Sequence, residues 1–396
     1  MVRTVGTTAK GIRAPIVKEG DNIVDIVVDS VLNSAKNDNY QLHDQDVIGI
    51  TESLVARAQG NYATIEQIQK AVNKIFKNDS FGVIFPILSR NRFSIILKSL
   101  ALTKKKIYLI LKYPSDEVGN PLMDIDKMDE LKINPYTDVL SENDYRKLFG
   151  EKVKHPFTDV DYVQMYKNLG INDNIEIYLS NDPKTVLEFT EDVLVANIHE
   201  RNKTKIILKE AGAKNVYGLD DILNSSIDGS GYNPEYGLLG SNMATENKLK
   251  LFPRDCQYYV NEIQKKIKEA TGKHIEVMIY GDGAFKDPVG RIWELADPVV
   301  SPGYTDGLSG TPNEIKLKYL ADAELNNLNK EEMKEAIVEK IKNKDANLIG
   351  QAESLGTTPR QLTDLLGSLC DLTSGSGDKG TPIVLIQGYF DNYASI

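Results

Sequence analysis

A carboxylate, a hydroxyl and a guanidinium stand close together in Glu52, Ser53 and Arg57, within the run Asp46-Val-Ile-Gly-Ile-Thr-Glu-Ser-Leu-Val-Ala-Arg-Ala-Gln-Gly60. A guanidinium is permanently charged and presents paired donors, so Arg57 is suited to clamp a phosphoryl group. A solvated arginine on an amphipathic turn is the other reading. The pattern GxxxxGK[ST] occurs nowhere in the chain, which removes an ordinary P-loop nucleotide site.

A second group lies far along the chain, in Gly237-Leu-Leu-Gly-Ser-Asn242 and Ile275-Glu-Val-Met-Ile-Tyr-Gly-Asp-Gly283. Asp282 sits between glycines at the end of an apolar run. A carboxylate there can hold Mg²⁺ or Mn²⁺ against phosphates, although Gly-Asp-Gly is also common turn chemistry. One carboxylate binds a divalent ion poorly, so Asp228, Glu246 or Asp287, in flanking loops, is the expected partner. Ser374-Gly-Ser-Gly-Asp-Lys-Gly-Thr-Pro382 offers many unhindered backbone N–H groups that can wrap an anion. The four histidines, His43, His155, His199 and His274, show no metal spacing, and no GxSxG or HExxH pattern occurs. His199 ends a strand run and is the one of the four to follow.

These groups need strand ends to hold them. Apolar spacing predicts a helix over Asp21–Ser34, a buried strand over Asp46–Thr51 and a helix over Thr64–Phe76. Thr64 is placed as its N-cap and Gln67 as the capping-box partner. From Leu102 to Leu223, strand runs (Ile107–Leu111, Ile175–Leu179, Val193–Ile198) alternate with helical ones (Asp161–Gly170, Pro183–Thr190, Thr204–Ala211), which predicts a small three-layer α/β lobe. Beyond a glycine- and aromatic-rich loop, Ser226–Gly240, the pattern gives a helix over Arg254–Thr271 and a strand over Ile275–Tyr280. Helices over Lys330–Asn343 and Pro359–Cys370 and a closing strand over Pro382–Gln387 follow. The fold class expected is mixed α/β: a core from residues 1–101 and 224–396, with 102–223 inserted as a lobe.

Composition narrows the function classes. The net charge of −10 over 396 residues argues against nucleic acid or an anionic membrane as partner. Two cysteines, Cys256 and Cys370, leave no disulfide framework or structural zinc pattern. No run of about 20 apolar residues could span a bilayer and the N-terminus lacks a signal-peptide pattern, so a cytoplasmic protein is expected.

Taken in order, Gly11-Ile-Arg-Ala-Pro-Ile-Val-Lys-Glu-Gly-Asp21, the strand with Thr51–Gly60, Gly237–Asn242, Ile279–Gly283 and Gly380–Gly388 resemble the coenzyme F420-0:L-glutamate ligases. The resemblance covers residues 1–100 and 226–396, so the central lobe reads as an insertion. It implies a ligase that adds L-glutamate through an amide bond to a carboxylate acceptor, using GTP or ATP and Mg²⁺ or Mn²⁺. Carried over by position, it places nucleotide contacts on Arg13, Ala14, Pro15, Glu52, Ser53, Arg57 and Asn242. The loop Ser374, Gly375, Ser376, Gly377 to Thr381 completes that set. Asp282 is the implied metal ligand and catalytic group, with Asp228 and Glu246 as its candidate partners. Leu239 stands where the family motif has a metal-binding aspartate, Gly283 where it has a threonine, and Ser376 or Gln351 at the place of a glutamine. Those departures keep two other readings open: a ligase for another acceptor such as a folate-like metabolite, and a nucleotide-binding regulator without catalysis. A homodimer is the assembly expected.

Overall fold

The computed structural model describes residues 4–156, 158–281, 285–286, 293–294, 301–355, 357, 361–374 and 378–395. In chain order the first strands are β1 (Thr8–Ile12), β2 (Val47–Thr51), β3 (Tyr62–Thr64), β4 (Ser80–Ile84), β5 (Lys106–Leu111), β6 (Leu140–Ser141), β7 (Ile175–Leu179) and β8 (Asp192–Val195). Then come β9 (Asn215–Gly218), β10 (Asn242–Thr245), β11 (Lys248–Lys250), β12 (Glu276–Tyr280), β13 (Phe285–Lys286), β14 (Trp293–Glu294), β15 (Gly303–Tyr304) and β16 (Ile383–Gln387). The first four helices are α1 (Ile23–Asn37), α2 (Glu52–Ala58), α3 (Ile65–Ile75) and α4 (Phe93–Ala101).

One sheet runs β1-β16-β2-β12-β15, with β2 and β12 parallel and the other pairs antiparallel. Both its faces are covered, which is why β2, β12 and β16 read as unbroken apolar runs rather than as alternation. Ile48, Ile50, Val277, Ile279, Ile383 and Leu385 pack with α1 and the helix Cys256–Thr271. Val47, Met278, Tyr280, Val384 and Ile386 pack with the helix Leu362–Thr373 on the other side. That helix comes close at Gly49, where a Cβ would lie 2.3 Å from Cys370 Sγ.

The second sheet runs β6-β7-β5-β4-β8-β9, parallel apart from β6. Its five parallel strands follow the three-two-one-four-five order of a doubly wound sheet. The expected boundary at Leu102 falls inside this unit, because β4 lies between β5 and β8 at its centre. Ser80–Ile84 escaped the sequence reading because a short strand buried on both faces carries no alternation. The apolar core of this lobe also takes in Ala63, Ile65, Ile68 and Val72 from β3 and α3, and Leu238, Leu239, Leu249 and Leu251. Strands β3 and β11 of the small sheet β10-β11-β3 therefore share the core of the lobe.

Several local expectations are met. Thr64 caps α3, and Gln67 returns the hydrogen bond in a capping box. The helix expected over Asp161–Gly170 spans only Tyr162–Lys167, with Asp161 as its N-cap, and Gly272, at φ 71°, ends the helix Cys256–Thr271. Pro183–Glu188 is a 3₁₀ helix where an α-helix was expected. Among the described residues no helix is long and apolar enough to cross a membrane.

Candidate functional site

Sheet register gathers the sequence motifs at one edge. Thr51 pairs with Tyr280 at the common ends of β2 and β12. There β16 begins, with Ile383 opposite both Ile50 and Ile12. The Thr51 N–H donates to the Pro382 carbonyl at 3.1 Å, and the Ala14 N–H to that of Gly380 at 3.3 Å. Thr381 packs against Gly11, where a Cβ would lie 3.1 Å from its own. Arg13, Ala14, Pro15, Thr51–Ser53 and Gly380–Pro382 thus converge at one end of the sheet, with Arg13 and Pro15 exposed. Ser374 arrives from the end of the helix Leu362–Thr373. Burial pushes the Tyr280 phenol up, and the nearby Ser374 side chain works in the opposite direction. Gly375, Ser376 and Gly377 lie outside the described residues.

The second part of the site is built on α2, which starts directly after β2. Its seven residues carry Glu52, Ser53 and Arg57. Facing it, Asn242, Lys250 and Tyr62 occupy one rung of the β10-β11-β3 sheet, so their side chains share a face. Lys250 Nζ donates to Glu52 Oε1 and to Ser53 Oγ, each at 2.6 Å. Both members of the ion pair are buried, at 10% and 9% side-chain exposure. The Tyr62 phenol is raised by burial and eased by the nearby Arg57 guanidinium, while Glu19 and Glu52 raise it further. Lys248 Nζ stands 4.5 Å from the centre of the same ring. Strand register thus links Asn242, some 190 residues downstream, to α2 through Lys250.

A model of the F420-0:gamma-glutamyl ligase family matches residues 11–388. The chain belongs to this family. No curated protein matches the sequence. The matched range includes the central lobe.

Within this family member, Lys250 is the residue beside the candidate site that sequence reasoning missed. Its signal was faint: two lysines two apart in Lys248-Leu-Lys250, one of them leading into the apolar Leu251-Phe252. Lysines at that spacing in a strand share a face, so one of them next to a core segment is open to burial.

The metal half is less complete. Leu239, which the resemblance set against an acidic position, is 6% exposed and packed in the core of the lobe. Asp228 pairs with Lys70 on α3, with Nζ–Oδ2 at 2.5 Å, and that ion pair keeps its carboxyl below the usual range. Glu246 is exposed at the β10–β11 turn, where its carbonyl accepts from Lys98. That turn lies about 10 Å along the strand from the Asn242–Lys250 rung. Asp282, Gly283 and Asp287 lie outside the described residues. Among the described residues no group of three or more His, Cys, Asp or Glu side chains is placed to hold a metal ion. Asp228, in an exposed ion pair with Lys70, and Glu246, at a solvent-facing turn, belong to no such group among the described residues.

The lobe's own switch point, between the ends of β4 and β8, is filled. The Glu117 carboxylate accepts from the N–H groups of Ile198 and His199, and Phe85, at φ 58°, is buried beside β4. His199 is exposed, and its backbone rather than its ring is engaged there.

Proposed function

We propose that the chain is a γ-glutamyl ligase that joins L-glutamate to a carboxylate-bearing acceptor, with GTP or ATP as phosphoryl donor and Mg²⁺ or Mn²⁺ as metal. One observation carries the nucleotide half: Arg13–Pro15, Glu52, Ser53, Arg57, Asn242 and Thr381, far apart in sequence, are brought to one sheet edge and the rung beside it. Ligands in open α/β sheets bind outside the carboxyl ends of strands. Membership of a ligase family supplies the reaction class.

The chemistry makes specific demands on such an edge. An acceptor carboxylate oxygen attacks the γ-phosphorus, and the bond to the nucleoside diphosphate breaks. The glutamate amine then attacks the acyl carbon of the resulting acyl phosphate. The new C–N bond forms as inorganic phosphate leaves and the amine gives up a proton. Positioning and charge compensation do most of the work in phosphoryl transfer. Arg57 and Ser53 are assigned to the phosphates, Asn242 to the nucleotide, and the loop from Ser374 to Thr381 to wrapping it. Asp282 is the proposed metal ligand, and no step is assigned to the metal, because the described residues do not complete its site. A cytoplasmic location belongs to the same reading, as does the lack of a nucleic-acid or membrane partner, which the net charge of −10 supports.

The test is incorporation of labelled L-glutamate into F420-0 with GTP or ATP and Mn²⁺, together with nucleotide binding by calorimetry. Binding with turnover supports the ligase. Turnover only with another acceptor, such as a folate, moves the proposal to that acceptor. Binding without turnover on any carboxylate acceptor favours a nucleotide-binding regulator, the reading supported by Leu239 in the core where the family carries an acid. Absence of binding at millimolar nucleotide removes all three.

A further inference from the structure

We infer that Lys250 is a positioning residue that commits the Ser53 hydroxyl to donate to a phosphoryl oxygen of the nucleotide. This rests on the nucleotide reading above and adds to it a residue from outside the motifs that suggested it.

The argument is one of donor and acceptor count. An ammonium group can only donate, so in the 2.6 Å contact between Lys250 Nζ and Ser53 Oγ the serine oxygen accepts. The hydrogen of the Ser53 hydroxyl is then left to give elsewhere, and no described residue accepts it. A free serine hydroxyl would rotate between donating and accepting, and a nucleotide phosphate offers acceptors only. Fixing it as a donor removes the competing orientation before the ligand arrives. The lysine is itself held. Glu52 Oε1 takes a second of its protons at 2.6 Å, and its side chain is only 10% exposed. Its backbone is pinned on both sides by pairing with Asn242 and Tyr62 in the middle strand of the small sheet. Ser53, by contrast, is half-buried on the first turn of α2, with a side open to a ligand. Glu52 holds Lys250, Lys250 orients Ser53, and Ser53 donates to the phosphate.

A double-mutant cycle on the full chain tests this, with GTP and ATP plus Mg²⁺ as probes and dissociation constants read by calorimetry. Circular dichroism and thermal melting check that each variant is folded. Ser53→Ala and Lys250→Gln are each expected to weaken nucleotide binding about tenfold, the scale of one hydrogen bond to a charged group. If Lys250 acts through Ser53, the double variant binds no more than about twofold weaker than Lys250→Gln alone. Multiplying losses, or an unchanged constant in folded Lys250→Gln, would overturn the inference while leaving the nucleotide reading intact. Where Lys250→Gln does not fold, the comparison moves to Glu52→Gln/Lys250→Gln, which strands no buried charge. Adding Ser53→Ala to that pair should then cost less than about twofold, and a further tenfold loss overturns the inference. A wild-type protein that binds neither nucleotide overturns both.

Discussion

Lys250 and Glu52 form a buried ion pair across 198 positions of sequence, tying the middle strand of the small sheet to the first turn of α2. Removing Lys250 takes from the buried Glu52 carboxylate the ammonium that balances its charge. Lys250→Met should therefore destabilise the fold by about 3–5 kcal/mol. Glu52→Gln combined with Lys250→Met should recover most of that loss, because no charge remains buried. Urea unfolding of the two variants and the wild type checks this. A double variant no more stable than Lys250→Met would show that the pair is not what holds α2 in place.

Arg57 sits in the last turn of α2, exposed and beside Tyr62. If its guanidinium meets phosphate, Arg57→Ala should weaken nucleotide binding by about 1.5–3 kcal/mol with little effect on stability. Calorimetry on the folded variant measures this. An unchanged constant would return Arg57 to a solvated position on the helix.

Gly49 and Cys370 give a packing prediction. A Cβ at Gly49 would lie 2.3 Å from Cys370 Sγ and 3.4 Å from Tyr280 Cδ1, so something must move. Overpacking of this kind costs about 1–3 kcal/mol. Gly49→Ala should lose that much in a denaturant melt, and Cys370→Ala in the same chain should restore part of it. Simple additivity of the two changes would mean that the helix Leu362–Thr373 does not approach β2 as described.

The lobe carries an acid-sensitive contact. Arg146 grips Asp161 with two hydrogen bonds, at 2.7 and 3.0 Å. Burial pushes the Asp161 carboxyl up, but Arg146 and the N–H groups of Gln164 and Val153 outweigh it and hold the group below its ordinary value of 3.8. A folded pKa below the unfolded one stabilises the protein above the unfolded value. That stability is lost as pH falls through the folded value. Wild-type stability should drop as pH is lowered from 4 towards 2, and Arg146→Met should show a shallower drop. Parallel curves for the two proteins would count against the pairing.

Sheet pairing also predicts which fragment folds. Residues 102–223 lack β4, the strand that joins β5 to β8, and should be unfolded by circular dichroism. Residues 62–251 include β4 and the apolar partners from β3, α3 and β11, and should melt cooperatively. A cooperative melt for 102–223 alone would restore the boundary at Leu102.

Much of this protein follows from neighbours in sequence. The Thr64–Gln67 capping box, the Asp161 cap and the stop at Gly272 depend on residues within a few positions, so the chain alone specified them. The apolar runs of β2, β12 and β16 and the motifs at their ends were legible for the same reason, and the mixed α/β class follows from them. Other features depend on partners that no local pattern names. β4 is short and buried on both faces, so only its place between β5 and β8 marks it as central. Asp228 looked like a free loop carboxylate until the packing of α3 brought Lys70 against it. Leu239 could be seen to depart from its motif, but only packing showed it inside the core of the lobe. Lys250 was not singled out by the sequence. Burial depends on what folds over a residue, and it was the register of β11 beneath α2 that placed this lysine between Glu52 and Ser53.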